Sequence, residues 1–375
     1  MRIAYDGKRA ALNSTGLGNY SRLVIGSMAQ AYPQNQHIVL STLLPKNHLA
    51  GELSDFDNIS LVAAPHRRTA SLWRLGGGIL RTAQAQGAEI YHGLSAELPI
   101  GITRSKLKSV VTVHDLIFRH FPHYFSAADR AIYNAKISHA CRAAHHVVAI
   151  SEFTKREIVE AYGIDPQKID VVYQSCDERF GRPIDEAAML QARQAYDLPE
   201  RYVLAVGRLV YHKNVQLAIE SLRLLPDDVK LVVVGRPTRF WKSTLAPLIE
   251  KLGLRQRLHH VDWIDSRLLP AVYRMAQAMV FASFCEGFGL PILEAQMCGT
   301  PVLAATGSCL EETGGDAAAY FDPHDAEQLA HLLQRVLTDG DWRSGMAQRG
   351  LRHSAQFTRQ RMCEQLMGIY EQVLQ

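Results

Sequence analysis

Between Cys285 and Ala295 two glutamates, Glu286 and Glu294, bracket a glycine loop that runs into an apolar segment. The order is Cys-Glu-Gly-Phe-Gly-Leu-Pro-Ile-Leu-Glu-Ala, with Pro291 suited to a first helical turn. Carboxylates set among Phe288, Leu290, Ile292 and Leu293 are costly unless they hold hydrogen-bond donors. The pair therefore reads as two grips for hydroxyl groups, one on a ribose and one on a sugar. Upstream, the apolar run that ends in Val206 is followed by Gly207 and Arg208, and Lys213 comes five positions later at a helix start. Two cations beside a helix N-terminus suit a diphosphate.

Two further groups lie nearer the N-terminus. The strand-like Val111-Thr112-Val113 ends in His114-Asp115. A histidine there can bond a hydroxyl or an oxyanion, with Asp115 expected to orient it. Thr15-Gly16-Leu17-Gly18-Asn19-Tyr20 opens a helix shortly after the first strand, where Gly16 and Gly18 let backbone N–H groups approach an anion. It is not the dinucleotide fingerprint, because Ser21 stands where the third glycine belongs and no acid ends the next strand. The six cysteines lack Cys-x-x-Cys spacing, so they read as reduced, buried thiols rather than zinc ligands. Asp339-Gly340-Asp341 reads as a turn, and no metal is expected.

These groups need strand ends and helix starts to hold them. Strands are expected at 2–6, 38–43, 59–63, 89–91, 108–113 and 147–150, with helices at 17–31, 72–86, 127–144 and 151–162. Ser151 is the expected cap of the last helix, and Thr154 opens a second candidate capping box with Glu157. The pattern then restarts, with strands at 202–206, 230–234, 259–261, 279–282 and 302–304. Helices follow at 215–224, 245–252, 268–276 and 290–297, and only helices after Asp325. Two series of alternating strands and helices predict two doubly wound α/β domains with parallel sheets, facing a central cleft. The join falls near 176–183. The expected division is 1–180, 181–357, and a final segment 358–375 that returns to the first domain.

Composition agrees with two ordinary cores. The chain has 375 residues, 47% hydrophobic and 21% charged, which excludes a disordered chain or a small disulfide scaffold. No apolar run is long enough to span a membrane, and the start, Met-Arg-Ile-Ala-Tyr-Asp, reads as a strand rather than a signal peptide. The net charge of +4 is uneven: residues 1–182 hold 21 Lys+Arg against 15 Asp+Glu, and ten of the sixteen histidines. The remainder is slightly acidic.

Taken together these motifs resemble the retaining glycosyltransferases of family 4, which have the GT-B fold of two Rossmann-like domains. The likeness covers nearly the whole chain. It adds Ile150-Ser151-Glu152-Phe153-Thr154-Lys155, Gly299-Thr300-Pro301-Val302 and Phe321-Asp322-Pro323 to the motifs above. The resemblance implies an N-terminal acceptor-binding domain and a C-terminal donor-binding domain. It implies that Arg208 and Lys213 bind the diphosphate and stabilise the leaving group, and that Glu294 holds the ribose. Glu286 and the loop Gly287, Phe288, Gly289 and Leu290 would hold the donor sugar, His114 would contact it, and Ile264 would meet the base through its backbone. Two positions depart from the family pattern: Glu311 replaces a proline, and Asp262 replaces a glycine.

The reaction implied is front-face transfer with retention, from a nucleotide-diphosphate sugar (GDP-mannose as first choice) to a glycan or polyprenyl-linked acceptor in surface-polysaccharide assembly. No metal or other cofactor enters it. The basic, Trp-bearing stretch His66–Leu75 with Ile79, Leu80 and Arg81 suggests peripheral contact with an anionic membrane, on the cytoplasmic face. Nucleic acid is not an expected partner, for want of a motif. The rival readings are a UDP-N-acetylglucosamine 2-epimerase-like enzyme, which would turn over without acceptor, and a non-catalytic nucleotide-sugar binder. A nicotinamide dehydrogenase would need the missing glycine fingerprint.

Overall fold

The structure, a computed structural model, describes residues 1–44 and 51–375. The chain divides into two compact units, residues 1–175 with 358–375, and residues 176–357. The boundary lies at Ser175–Cys176, at the near end of the expected join.

The first unit is a seven-stranded parallel sheet: β1 (Arg2–Asp6), β2 (Gln36–Ser41), β3 (Ile59–Ala63), β4 (Ile90–Gly93), β5 (Lys108–Val113), β6 (His146–Ala149) and β7 (Ile169–Val171). Their order is β3-β2-β1-β4-β5-β6-β7. The second unit is a six-stranded parallel sheet: β8 (Tyr202–Val206), β9 (Lys230–Val234), β10 (Leu258–Val261), β11 (Ala278–Phe281), β12 (Val302–Ala305) and β13 (Ala318–Phe321), in the order β10-β9-β8-β11-β12-β13. The inner strands are short apolar runs buried on both faces, as helix-covered parallel sheets require, and the edge strands are partly exposed. In each sheet the winding reverses once, at β1/β4 and at β8/β11. Ligands of open α/β sheets bind outside the carboxyl ends of the strands at such reversals.

Helices form where caps and apolar faces coincide. Ser151 caps Glu152–Tyr162 by accepting from the N–H of Thr154, 3.0 Å away. Thr154 lies inside that helix and opens no second one. Asp339, expected in a turn, instead caps the helix Gly340–Ser354 through the N–H of Trp342. The helix expected over 72–86 is two, Ala70–Leu75 and Gly77–Ala85. Gly76 turns to an extended conformation between them, and a Cβ there would crowd the carbonyl of Leu72. Strands β7 and β13 and the helices Lys8–Leu12 and Glu186–Tyr196 lie outside the expected elements. They are short or weakly patterned, and tertiary packing fixes them. The helix Arg359–Leu374 belongs to the first unit. It buries Met362, Leu366, Ile369 and Tyr370 against Tyr5, Val24, Ile25 and Val110.

Two neighbouring side chains expected at a membrane surface turn inward instead. Trp73 is buried and its indole N–H donates to Thr82 Oγ1 at 3.2 Å. Arg74 is 5% exposed and ion-paired to Asp6 and Glu97. Arg67, Arg68, Arg81 and Leu72, the last 77% exposed, remain on the surface. Among the described residues no helix is long and apolar enough to cross a membrane.

Candidate active site

In the second unit the reversal at β8/β11 brings three of the predicted residues together. The chain leaves β8 at Val206 and passes through Gly207 and Arg208. It reaches Lys213 in a 3-10 turn before the helix Val215–Leu222. A small pocket opens there, lined by Gly207, Arg208 and Lys213 from the β8 side and Phe281, Ala282 and Ser283 from the β11 side. Lys213 Nζ donates to Glu286 Oε1 at 2.5 Å and lies 5.5 Å from the Phe281 ring centre. Glu286 is buried, so the ammonium satisfies a carboxylate that would otherwise be costly. Arg208 is exposed and has no ion-pair partner among the described residues. Burial pushes His212 down to about 4, and the charges of Lys213 and Arg208 act in the same direction. Two cations, one exposed and one held by Glu286, are placed to meet a bound diphosphate.

The loop after Glu286 is set by packing. Gly287, Phe288 and Gly289 are all buried. Thr313 Oγ1 donates to the Phe288 carbonyl, and the Phe288 ring meets Phe357 at 5.8 Å. The phenyl side chain is therefore core, and what the loop can present to a ligand is backbone. Gly289 has φ 100° and serves as the N-cap residue of the helix Leu290–Met297, a conformation that favours glycine. Glu294 lies just over one turn into that helix, where Tyr273 donates to its Oε2 at 2.7 Å. Burial raises the Glu294 carboxyl to about 7, with the tyrosine hydrogen bond opposing the rise. Sequence reasoning missed Tyr273, which sits in an apolar helix with no motif around it. Ile264, beyond β10, is buried. Glu311, the departure from the family's proline, accepts the N–H of Gly307 on both carboxylate oxygens at 3.2 Å and so closes its own loop.

In the first unit His114 follows β5. Its Nε2–H donates to the Leu94 carbonyl at 2.9 Å, and its ring meets Tyr20 edge-on at 4.6 Å. Asp115 accepts from the N–H of Ile117, so the partner that orients the imidazole is the Leu94 carbonyl rather than Asp115. Burial holds His114 down to about 4. The ring is neutral at physiological pH, with Nε2 as donor and Nδ1 left as acceptor. Thr154 Oγ1 donates to the His114 carbonyl at 3.2 Å, which gives the Ser151–Lys155 motif a supporting role here. Tyr20 lies in the helix Gly16–Ala31, so the Gly16 turn and His114 share one neighbourhood. A Cβ on Gly18 would overlap the Asn13 carbonyl, whereas Gly16 has open space. Packing of the chain on itself is enough to require glycine at 18, and Gly16 is the turn residue free to face a ligand.

Comparison with known proteins identifies this architecture. The family model described as Glycosyltransferase Family 4 matches residues 26–180, and the one described as Glycosyl transferases group 1 matches 188–353. The O-antigen chain mannosyltransferase B of Escherichia coli is 31% identical over 75% of this chain and 74% of its own. A D-inositol 3-phosphate glycosyltransferase of Salinispora tropica is 33% identical over 60% of this chain and about half (51%) of its own length. The Anabaena protein Alr3699/HepE, crystallised with UDP-glucose, superposes with a TM-score of 0.78 at 19% identity, covering 99% of this chain and 100% of that one. Fold and motifs thus define a glycosyltransferase of the GT-B type. The chain belongs to glycosyltransferase family 4 and is a hexosyltransferase of polysaccharide biosynthesis.

Proposed function

We propose that this enzyme transfers mannose from GDP-mannose to a polyprenyl-linked glycan acceptor during surface-polysaccharide assembly, at the cytoplasmic face of the inner membrane. The placement of Arg208 and Lys213 around the β8/β11 pocket carries the reading. The Escherichia coli relative, an O-antigen chain mannosyltransferase, supports the sugar. The Anabaena structure with UDP-glucose supports a nucleotide-sugar donor.

In this reading Arg208 and Lys213 meet the charge that develops on the leaving diphosphate. Fixed cations contribute most at that step, because they need no reorganisation as charge appears. Glu286 holds Lys213 in place and offers its second oxygen to the donor sugar, beside the N–H groups of Gly287, Phe288, Gly289 and Leu290. Glu294 accepts from the ribose hydroxyls, Ile264 meets the base through its backbone, and Gly16 borders the diphosphate, with Gly18 shaping the turn behind it. Neutral His114 accepts from a sugar hydroxyl through Nδ1. No side chain serves as nucleophile. The leaving diphosphate takes the acceptor's proton on the face where the new bond forms, so the anomeric configuration is retained. The reading requires no resident metal or cofactor, and no nucleic acid. Membrane contact falls to Arg67, Arg68, Arg81 and Leu72.

A thermal-shift screen of GDP, UDP, dTDP and ADP sugars tests the donor, with GDP-mannose expected to raise Tm most. NMR of the product tests the stereochemistry, and an inverted linkage rejects the mechanism. Turnover of UDP-N-acetylglucosamine without acceptor would favour the epimerase reading instead.

A further inference from the structure

The first sheet has its own reversal, at β1/β4, and the groups around it are unevenly charged. Asp6 ends β1, and Glu97 follows β4 just after Ala96, a non-glycine residue with φ 56°. Together these two carboxylates have four oxygens, and all four are taken. Asp6 Oδ1 accepts the backbone N–H of Lys8 at 3.2 Å, and its Oδ2 pairs with Arg74. Glu97 Oε2 pairs with Arg74 at 2.5 Å and its Oε1 with Lys136 at 3.0 Å.

Two more cations stand at the same strand end with no acid left for them. Lys8 and Arg9 are half-buried, and neither forms an ion pair among the described residues. Burial and the charge of Arg74 push the Lys8 ammonium down, so the surroundings already resist positive charge. The charge of Arg9 reaches His114 and lowers it as well. Behind the Asp6–Arg74–Glu97 cluster the hydroxyl of Tyr91, fully buried in β4, has no hydrogen-bond partner and lies in the field of those three groups. Four cations thus stand against two carboxylates at the place where an open sheet binds its ligand. A neutral sugar would leave that imbalance unanswered, whereas a dianion cancels it.

We propose that Lys8 and Arg9 form an anion site in the first unit that binds a phosphate group of the acceptor. The inference rests on the transferase reading above, in which the donor's diphosphate is held by Arg208 and Lys213. It narrows the acceptor to a phosphate-bearing molecule, such as a polyprenyl diphosphate-linked glycan. The same chemistry could instead serve the donor's diphosphate, and the test separates the two sources.

Inorganic pyrophosphate is titrated calorimetrically into the full chain, the Lys8→Ala/Arg9→Ala variant and the Arg208→Ala variant. Two sites are expected in the wild type, with each variant keeping a different one. A single wild-type site lost in both variants would assign Lys8 and Arg9 to the donor and overturn the proposal. So would two sites surviving in Lys8→Ala/Arg9→Ala, or a single site lost in Arg208→Ala alone. Two sites surviving in Arg208→Ala, with one lost in Lys8→Ala/Arg9→Ala, would reject the donor assignment while leaving this one standing. Folding is checked with Lys8→Gln, which removes an unpaired half-buried charge. Its Tm without ligand is expected to equal or exceed that of the wild type, and a fall would mean that Lys8 serves the fold.

Discussion

The hydroxyl of Tyr370 and Nδ1 of His92 lie 2.7 Å apart, both fully buried, joining residues 278 positions apart in sequence. On its other side His92 Nε2 meets Thr112 Oγ1 at 2.9 Å, and Thr112 accepts from Tyr20, whose ring abuts His114. Burial holds His92 well down, to about 3, so it bonds as a neutral ring. Tyr370→Phe would leave one nitrogen of His92 without its partner in the core. A loss of about 1–3 kcal/mol is expected, the usual penalty for a buried unsatisfied group. Urea unfolding followed by a first-unit probe measures it. A change within error would show that the bond contributes nothing.

Lys213 and Glu286 separate stability from catalysis. Lys213→Met leaves a buried carboxylate without its ammonium and removes a cation from the leaving group. Both Tm and rate are expected to fall, the rate by roughly 10²–10³ by analogy with oxyanion donors. Lys213→Met with Glu286→Gln should restore much of the Tm and none of the rate. Recovery of turnover in the double variant would remove Lys213 from the mechanism.

With Glu294 at the ribose, as proposed, nucleotide binding should depend on pH. Its carboxyl titrates near 7 in the folded chain, against 4.5 for its ordinary value. A raised folded pKa adds stability that is complete below the unfolded value and is lost as pH rises through the folded one. Between about pH 4.5 and 7 this group should therefore weaken the fold, by at most a few kcal/mol. Glu294→Gln should flatten that part of the stability profile. Conversely, the ionised carboxylate is the better acceptor for ribose hydroxyls, so GDP should bind more tightly as pH rises through about 7. The Glu294→Gln variant should lack that component.

Arg74 ties two acids of the first unit together. Arg74→Met leaves Asp6 and Glu97 short of charge in a buried setting, where breaking an ion pair from one side typically costs about 3–5 kcal/mol. Differential scanning calorimetry should show the first unit melting earlier than in wild type. Arg67→Ala/Arg68→Ala touches no such pair and should leave the melt unchanged while reducing flotation with anionic liposomes. Equal flotation would remove the membrane contact from the proposed function.

Strand ends and helix starts carried most of what could be read from the sequence. Arg208, Lys213 and Glu286 announce themselves because charged residues just past a strand end, at a helix start or in a glycine loop among apolar residues have little structural reason to be there, and the structure brings all three to one strand reversal. Gly289 and Pro291 likewise mark a helix start that appears where expected. Partners distant in sequence stayed hidden. Arg74 looked like one cation in a basic amphipathic stretch because its acids lie 68 and 23 residues away. Tyr273 carries no local signal of its bond to Glu294, 21 residues on. The role given in advance to Asp115 failed for a similar reason, since the partner of His114 is a backbone carbonyl, and every residue has one.

The first unit is built from both ends of the chain, 1–175 and 358–375, whereas the second is one continuous stretch. Synthesis from the ribosome therefore releases the second unit whole while the first still lacks the helix that covers Tyr5, Val24 and Val110. Residues made well before the second unit are among the last to be enclosed. A premature stop a few codons before Arg359 would spare every side chain of the β8/β11 pocket and still leave an exposed apolar face at the other end of the message, a substrate for chaperones and proteases rather than for chemistry.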